Sequence, residues 1–170
     1  MSIRNKKAFT LIEMLIGVLI IGILAAIAWP QYQTAVLKTR FATLMNNAHA
    51  IKNATEMYYL NNGYYPNDSV MELDIDIPGY TNGGGGNIRC NSCNIDYDLQ
   101  GSPATHIDAV IGSTIGAYGG NHVIIYRLFL DRIGGYSGKK MCIANKNFQA
   151  SLKVCQSVGK TQLNETTWEM

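Results

Sequence analysis

The sequence predicts an α+β architecture, one long N-terminal helix packed against an antiparallel β-meander. Three observations carry that expectation. Phe9 to Trp29 is an apolar run whose only charged residue is Glu13. From Leu37 onward apolar residues return at alternating spacings of four and three, the signature of one helix face. Beyond Gly63, short stretches rich in β-branched and aromatic residues alternate with glycine-rich turns.

At 170 residues the chain has room for one ordinary domain and an appendage. Its net charge of +2 does not point to nucleic acid, because Arg4, Lys6 and Lys7 supply three of the 14 basic side chains. The remaining basic residues are fewer than the 12 acids, so no electrostatic grip on a phosphate backbone is expected and no specific nucleic-acid partner is predicted.

The apolar run is long enough to cross a bilayer. Its basic start resembles a secretory signal, but the run exceeds a signal core and no A-x-A site follows it. Ala26, Ala28 and Trp29 pass directly into Pro30 and a polar helical pattern. An uncleaved signal anchor, with the three basic residues held inside, is the plain alternative. It leaves Glu13 unexplained, since an ionised side chain in that setting costs ~2.5–3.5 kcal/mol even on insertion scales. Gly22 and Ala26, four apart, offer a small-residue face for close helix packing. Pro30 lacks an amide donor and disfavours helical geometry at Trp29, which predicts a kink or a weak point.

After Pro30 the helix becomes amphipathic. Leu37, Phe41, Leu44, Ala48, Ile51, Thr55 and Tyr58 form the buried stripe, with Lys38, Arg40, Asn47, Lys52 and Glu56 largely off it. Asn61-Asn62-Gly63 supplies the stop, Gly63 being suited to a left-handed C-terminal position. A helix from Thr10 to Asn62 would be roughly 80 Å long, more than a small domain can wrap. Its first half must therefore find lipid or sister helices.

Gly63-Tyr64-Tyr65-Pro66 opens a turn-rich connection containing Asp68, Glu72, Asp74 and Asp76. Without EF-hand spacing this acidic group reads as a solvated face rather than a calcium site. Thr81 to Asn87 reads as a flexible glycine loop. It has neither the Lys-Ser/Thr nor the strand–helix frame of a phosphate cradle. Strands are expected at Asn94–Leu99, more weakly at His106–Ile111, most strongly at His122–Leu130, and as a further edge strand at Lys140–Ala144. Asn147 could cap a short helix, Phe148 to Val158, ended by Gly159.

Cys90, Cys93, Cys142 and Cys155 all follow the apolar segment, which favours disulfides in an oxidising compartment. Cys90-Asn91-Ser92-Cys93 lacks the helix start and α/β frame of a thioredoxin-like site, and zinc would need a second close pair. A structural Cys90–Cys93 bridge is favoured, although four cysteines allow three pairings. No nucleophile–base constellation is present, and His49, His106 and His122 fall on different elements. No enzyme activity, metal or cofactor is predicted. The sequons at Asn53, Asn67 and Asn164 are short enough to arise by chance.

The stretch KKAFTLIE, with Glu13, Gly22 and Pro30 behind it, resembles the N-terminal signal of type IV pilins and of the related pseudopilins of type II secretion. The resemblance is close from Lys6 to about Gln33. It is weaker at Tyr58-Tyr59, Tyr64-Tyr65-Pro66 and the last two cysteines. It implies that a prepilin peptidase cuts between Ala8 and Phe9 and methylates the new amino group of Phe9. Ala8 departs from the family's usual glycine but keeps a small residue. It further implies a leader at 1–8, a membrane and filament-core helix at 9–30, an amphipathic half at 31–62 and a head at 63–170. A C-terminal disulfide loop through Cys142 and Cys155 is the family's head closure.

Cleavage would place a cationic amine four residues upstream of Glu13. In a bundle of such helices one subunit's carboxylate can meet the next subunit's amine, a pairing that makes a low-dielectric charge tolerable and fixes axial register. The resemblance implies a structural subunit held in the bacterial inner membrane and polymerised into a surface pilus. Its implied partners are sister pilins, the peptidase, an assembly platform with its ATPase, and an outer-membrane secretin. Adhesion, twitching motility and DNA uptake are the filament roles it suggests. A pseudopilin is the nearest alternative, and a membrane-anchored redox module using Cys90 and Cys93 is the alternative from another class.

Overall fold

The computed structural model describes residues 9–66, 72–84, 87–90, 93–98, 106–112, 122–132 and 134–170. Helix α1 runs unbroken from Leu11 to Asn62, 52 residues, with Thr10 as its N-cap. At its other end Gly63 takes the left-handed conformation (φ 79°) and returns its N–H to the Tyr59 carbonyl at 2.8 Å, the termination the Asn-Asn-Gly signal predicts. Pro30 lies inside this helix without ending it.

Among the described residues eight strands follow: β1 (Thr81–Gly84), β2 (Asn87–Cys90), β3 (Cys93–Asp98), β4 (His106–Gly112), β5 (His122–Phe129), β6 (Lys140–Ala144), β7 (Thr161–Asn164) and β8 (Thr167–Glu169). Helix α2 (Gln149–Val158) is inserted between β6 and β7. One antiparallel sheet in the order β1-β2-β3-β4-β5-β6-β8-β7 holds all of them. The expected α+β fold is thus present.

The core forms where the α1 stripe meets the sheet. Leu37, Phe41, Leu44, Ala48, Ile51 and Thr55 are the buried residues of α1. They join Ile107, Ala109 and Ile111 of β4 and Ile124, Tyr126 and Leu128 of β5 in one cluster. Alternation explains the strand contribution, because residues two apart share a sheet face. Phe41 meets the Tyr126 ring edge-on at 5.9 Å, a favoured aromatic geometry. Val154 and Cys155 of α2 close the same cluster, with Trp168 of β8.

Four expectations change. Thr81–Gly84 is not a flexible loop but strand β1, paired to β2 with a register shift between Asn82 and Gly84. Glycines are tolerated there because β1 is an edge strand with a single neighbour. Lys140–Ala144 is not an edge strand: β6 lies between β5 and β8, and the edge passes to β7. Asn147 does not cap α2, whose N-cap is Phe148 without a side-chain bond; the Asn145 carboxamide accepts the Asn147 N–H instead. The strand expected at Asn94–Leu99 runs from Cys93 to Asp98, with Leu99 outside the described residues. Asp68 and the sequon at Asn67 also lie outside them.

Candidate functional site

The first half of α1 is a naked apolar rod. An 18-residue window is apolar enough to cross a membrane, and none of that window is buried against the head. Phe9, Leu11, Ile12, Leu19, Ile20, Leu24 and Ile27 are all exposed. The head takes hold only at Leu37, so some forty ångströms of helix at 1.5 Å per residue carry no intramolecular cover. A Cβ built on Gly22 meets nothing within 4 Å, which leaves its face open to a neighbouring helix. Thr34 Oγ donates to the Pro30 carbonyl at 3.0 Å, a side-chain bond back across the turn that follows the proline.

Glu13 sits in a reciprocal capping box. Its Oε2 accepts the Thr10 backbone N–H at 2.9 Å and the Thr10 hydroxyl at 2.8 Å. The Glu13 N–H in turn donates to Thr10 Oγ at 3.3 Å. This arrangement satisfies amides that a helix start leaves without intrahelical partners. Thr10 was not among the residues singled out from the sequence, although Thr-Leu-Ile-Glu ahead of an apolar run spells the capping-box pattern. Both carboxylate contacts use Oε2, and Oε1 has no partner among the described residues. Phe9 lies next to this box and is exposed, whereas Ala8 and the rest of the proposed leader lie outside the described residues.

The second half of α1 is fastened to the head by charge as well as by packing. Lys52 Nζ lies 2.5 Å from Asp131 Oδ1. Glu56 accepts the Asp131 backbone N–H at 2.8 Å and the Tyr65 hydroxyl at 3.1 Å, with Arg132 Nε at 3.8 Å. Burial first, then the Glu56 charge, pushes the Tyr65 hydroxyl well above its ordinary pKa, so it remains a donor. Lys52 and Glu56, off-stripe residues in the sequence reading, therefore clamp the turn after β5 onto the helix. On the sheet, Arg127 grips Asp108 through two bonds of 2.7 and 2.6 Å, and His106 approaches the same carboxylate at 3.6 Å.

Cys142 and Cys155 form a disulfide that ties β6 to α2. Cys90 and Cys93 face one another in the β2–β3 register, and Cys93 is disulfide-bonded; the Cys90 side chain lies outside the described residues. The Tyr80 hydroxyl accepts from Asn47 at 3.1 Å and lies 3.2 Å from Cys93 Sγ, linking that turn to α1. Glu72 receives the Tyr58 hydroxyl at 3.2 Å. No grouping of three or more His, Cys, Asp or Glu suited to a metal occurs among the described residues.

Comparison with known proteins agrees with this geometry. The prokaryotic N-terminal methylation motif matches residues 3–29. The chain is 33% identical over 111 residues to the type IV major pilin protein PilE of Neisseria gonorrhoeae, covering 56% of this chain and 63% of that one. It is 45% identical over 64 residues to the fimbrial protein EcpC of Eikenella corrodens, covering 38% and 42%. It is 49% identical over 53 residues to a fimbrial protein of Pseudomonas aeruginosa, covering 31% and 34%. The chain thus spans less than two thirds of the length of the relatives it matches. No solved structure matches it significantly. With the methylation motif at its start, an unwrapped apolar helix behind it and a helix-on-sheet head, the chain is similar to the type IV pilins.

Proposed function

We propose that the chain is the structural subunit of a type IV pilus, processed between Ala8 and Phe9, methylated on Phe9 and polymerised through residues 9–30. The observation that carries this reading is the division of α1. One half is clamped to the head, and the other is apolar, exposed and marked by one carboxylate at its start. Such a rod is tolerable in lipid as a monomer and among sister helices as a filament.

The capping box refines how Glu13 acts. Thr10 holds Oε2, which fixes the side chain against the helix start and leaves Oε1 for a donor from another chain. The methylated amine of a neighbouring Phe9 is a donor of the right charge. An offset of one helix against its neighbour separates amine from carboxylate, so the pair selects register. Gly22 provides the open face for close approach. The Pro30 region is the place where the helix yields on packing. Localisation follows from the same parts: the inner membrane before assembly, the cell surface after it. Partners are sister subunits, the prepilin peptidase and the assembly platform with its ATPase. Attachment, motility and DNA uptake are the roles open to such a filament.

The test replaces Glu13 by Gln and by Ala in the full chain, expressed with its processing and assembly machinery. Mass spectrometry checks that the product begins at methylated Phe9, and sheared surface filaments are quantified. Normal processing with severe loss of filament is expected for both variants, and for Thr10→Ala a milder loss. Wild-type filament yield from a correctly trimmed Glu13→Gln or Glu13→Ala chain overturns the pairing. Sheared filaments composed mainly of this chain distinguish a pilus subunit from a pseudopilin of a short periplasmic piston.

A further inference from the structure

A cleft of about 520 Å³ opens between the middle of α1 and the β6–β8 end of the sheet, remote from the apolar rod. Its lining includes His49, Tyr126, Lys139, Lys140, Lys160 and Glu169. These residues come from α1, β5, β6, β8 and two connecting segments, and three of them are lysines. Lys139 is matched by Glu169 at 3.8 Å. Lys140 and Lys160 make no ion pair among the described residues. Met170 also borders the cleft. Lys52, the other cation near His49, is committed to Asp131.

A hydrogen-bonded pair closes the floor of the cleft. Tyr126 Oη and His49 Nε2 are 2.9 Å apart at its floor. Burial pushes the Tyr126 hydroxyl up to about 12, so it keeps its proton at physiological pH. Burial lowers the His49 pKa, and the charges of Lys140 and Lys52 lower it further. The positive field of the lysines is therefore felt at the imidazole, and a bound anion would relieve it. An anion with several acceptor oxygens suits this set better than a single carboxylate. Lysine acts toward phosphate as a point charge, and a protonated imidazole adds a directed donor.

We propose that this cleft binds a phosphoryl group, either free phosphate or a small phosphate monoester. Lys140 and Lys160 supply the charge, and His49 takes up a proton as the anion enters. A membrane headgroup does not fit the placement. His49 lies twenty residues beyond Trp29, about 30 Å along the helix axis and outside the headgroup layer. The proposal is independent of the filament reading, because it concerns the head of the single chain.

The experiment uses the full chain in a nonionic detergent with its histidines labelled for NMR. Inorganic phosphate and glycerol 1-phosphate are titrated separately at constant ionic strength, with chloride as the compensating anion. Saturable shifts of the His49 signals by at least one probe, with a rise of the His49 pKa on binding, support the site. The ratio of the two affinities identifies the source. Lys140→Ala and Lys160→Ala should each weaken binding about tenfold or more, the loss of one charge-assisted contact. Lys153→Ala, on the exposed face of α2, should leave it unchanged. Lys160 is exposed, so its variant keeps the test decisive if Lys140→Ala fails to fold. Non-saturating shifts, equal shifts with chloride alone, or binding undiminished in Lys160→Ala overturn the proposal.

Discussion

Replacing both Cys142 and Cys155 by alanine should lower the stability of the head without disturbing the apolar half of α1. The two residues are 13 apart in sequence, and closing a loop of that size removes about 3 kcal/mol of conformational freedom from the unfolded chain. Both cysteines are fully buried in the core shared by α1, α2 and the sheet, so alanine also leaves unfilled space and adds to the loss. For a head of this size each kcal/mol moves Tm by about 4 °C, which predicts a fall of roughly 12 °C.

Far-UV circular dichroism is a poor reporter, because the apolar half of α1 stays helical in detergent. Tryptophan emission is better suited. Trp168 is buried beside the bridge, opposite Cys142 in the β6–β8 register, whereas Trp29 is exposed on the rod. In a Trp29→Phe background the emission reads the head alone. Reducing the wild-type bridge should shift the melt in the same direction but by less, because the buried thiols still fill the space that alanine vacates. A shift below about 3 °C in both comparisons would refute the view that this loop holds α2 against the sheet.

Other substitutions test the packing and charge of the head. Phe41→Ala removes a fully buried ring that meets Tyr126 edge-on, and should cost about 3–5 kcal/mol in the same melt. Gly159→Ala places a methyl 2.4 Å from Trp168 Cβ and 2.9 Å from the Cys155 carbonyl, both parts of the packed core edge. Overpacking of that kind should cost about 1–3 kcal/mol and shift the Trp168 emission. At Asp108 burial alone would push the carboxyl up, but hydrogen bonds from Arg127 and His106 outweigh it and hold the pKa below its ordinary value. A carboxylate lowered in the folded state stabilises fully above its unfolded pKa near ~3.9, and that stabilisation is lost as pH falls through the folded value. Asp108→Asn, which strands Arg127, should therefore lower urea midpoints at pH 7 and converge on wild type as pH falls through the folded carboxyl's lowered value. A gap that stays constant with pH would count against the ion pair.

What the sequence made legible follows from the kind of order each element has. The α1 stripe, the Gly63 stop and the strong strand at His122 to Phe129 are local and periodic. Spacing alone names their buried residues, and Phe41, Ala48 and Ile51 are fully buried as that spacing requires. Strands β7 and β8 are four and three residues long, and every residue of β7 is exposed. With no apolar alternation to betray them, they form only because β6 offers an unpaired edge. That is also why β6 reads as an edge strand until its neighbours are known. The Lys52–Asp131 and Glu56–Asp131 contacts join residues 75 or more apart, and no window of sequence contains both partners.

The start of α1 is a different case, because its signal was local and still has two meanings. Thr10 and Glu13 form a capping box in any chain where they precede a helix. A capping box alone would be equally content with glutamine at position 13, since a carboxamide oxygen also accepts an amide proton. The apolar rod behind it gives the charge a cost that capping cannot justify. Glutamine in place of Glu13 therefore separates the two meanings. It should preserve the helix start, measured by amide exchange at position 13 and Met14, while abolishing the demand for a cationic partner. If that variant also loses the helix start, the carboxylate serves the cap and the argument for an intersubunit partner loses its physical basis.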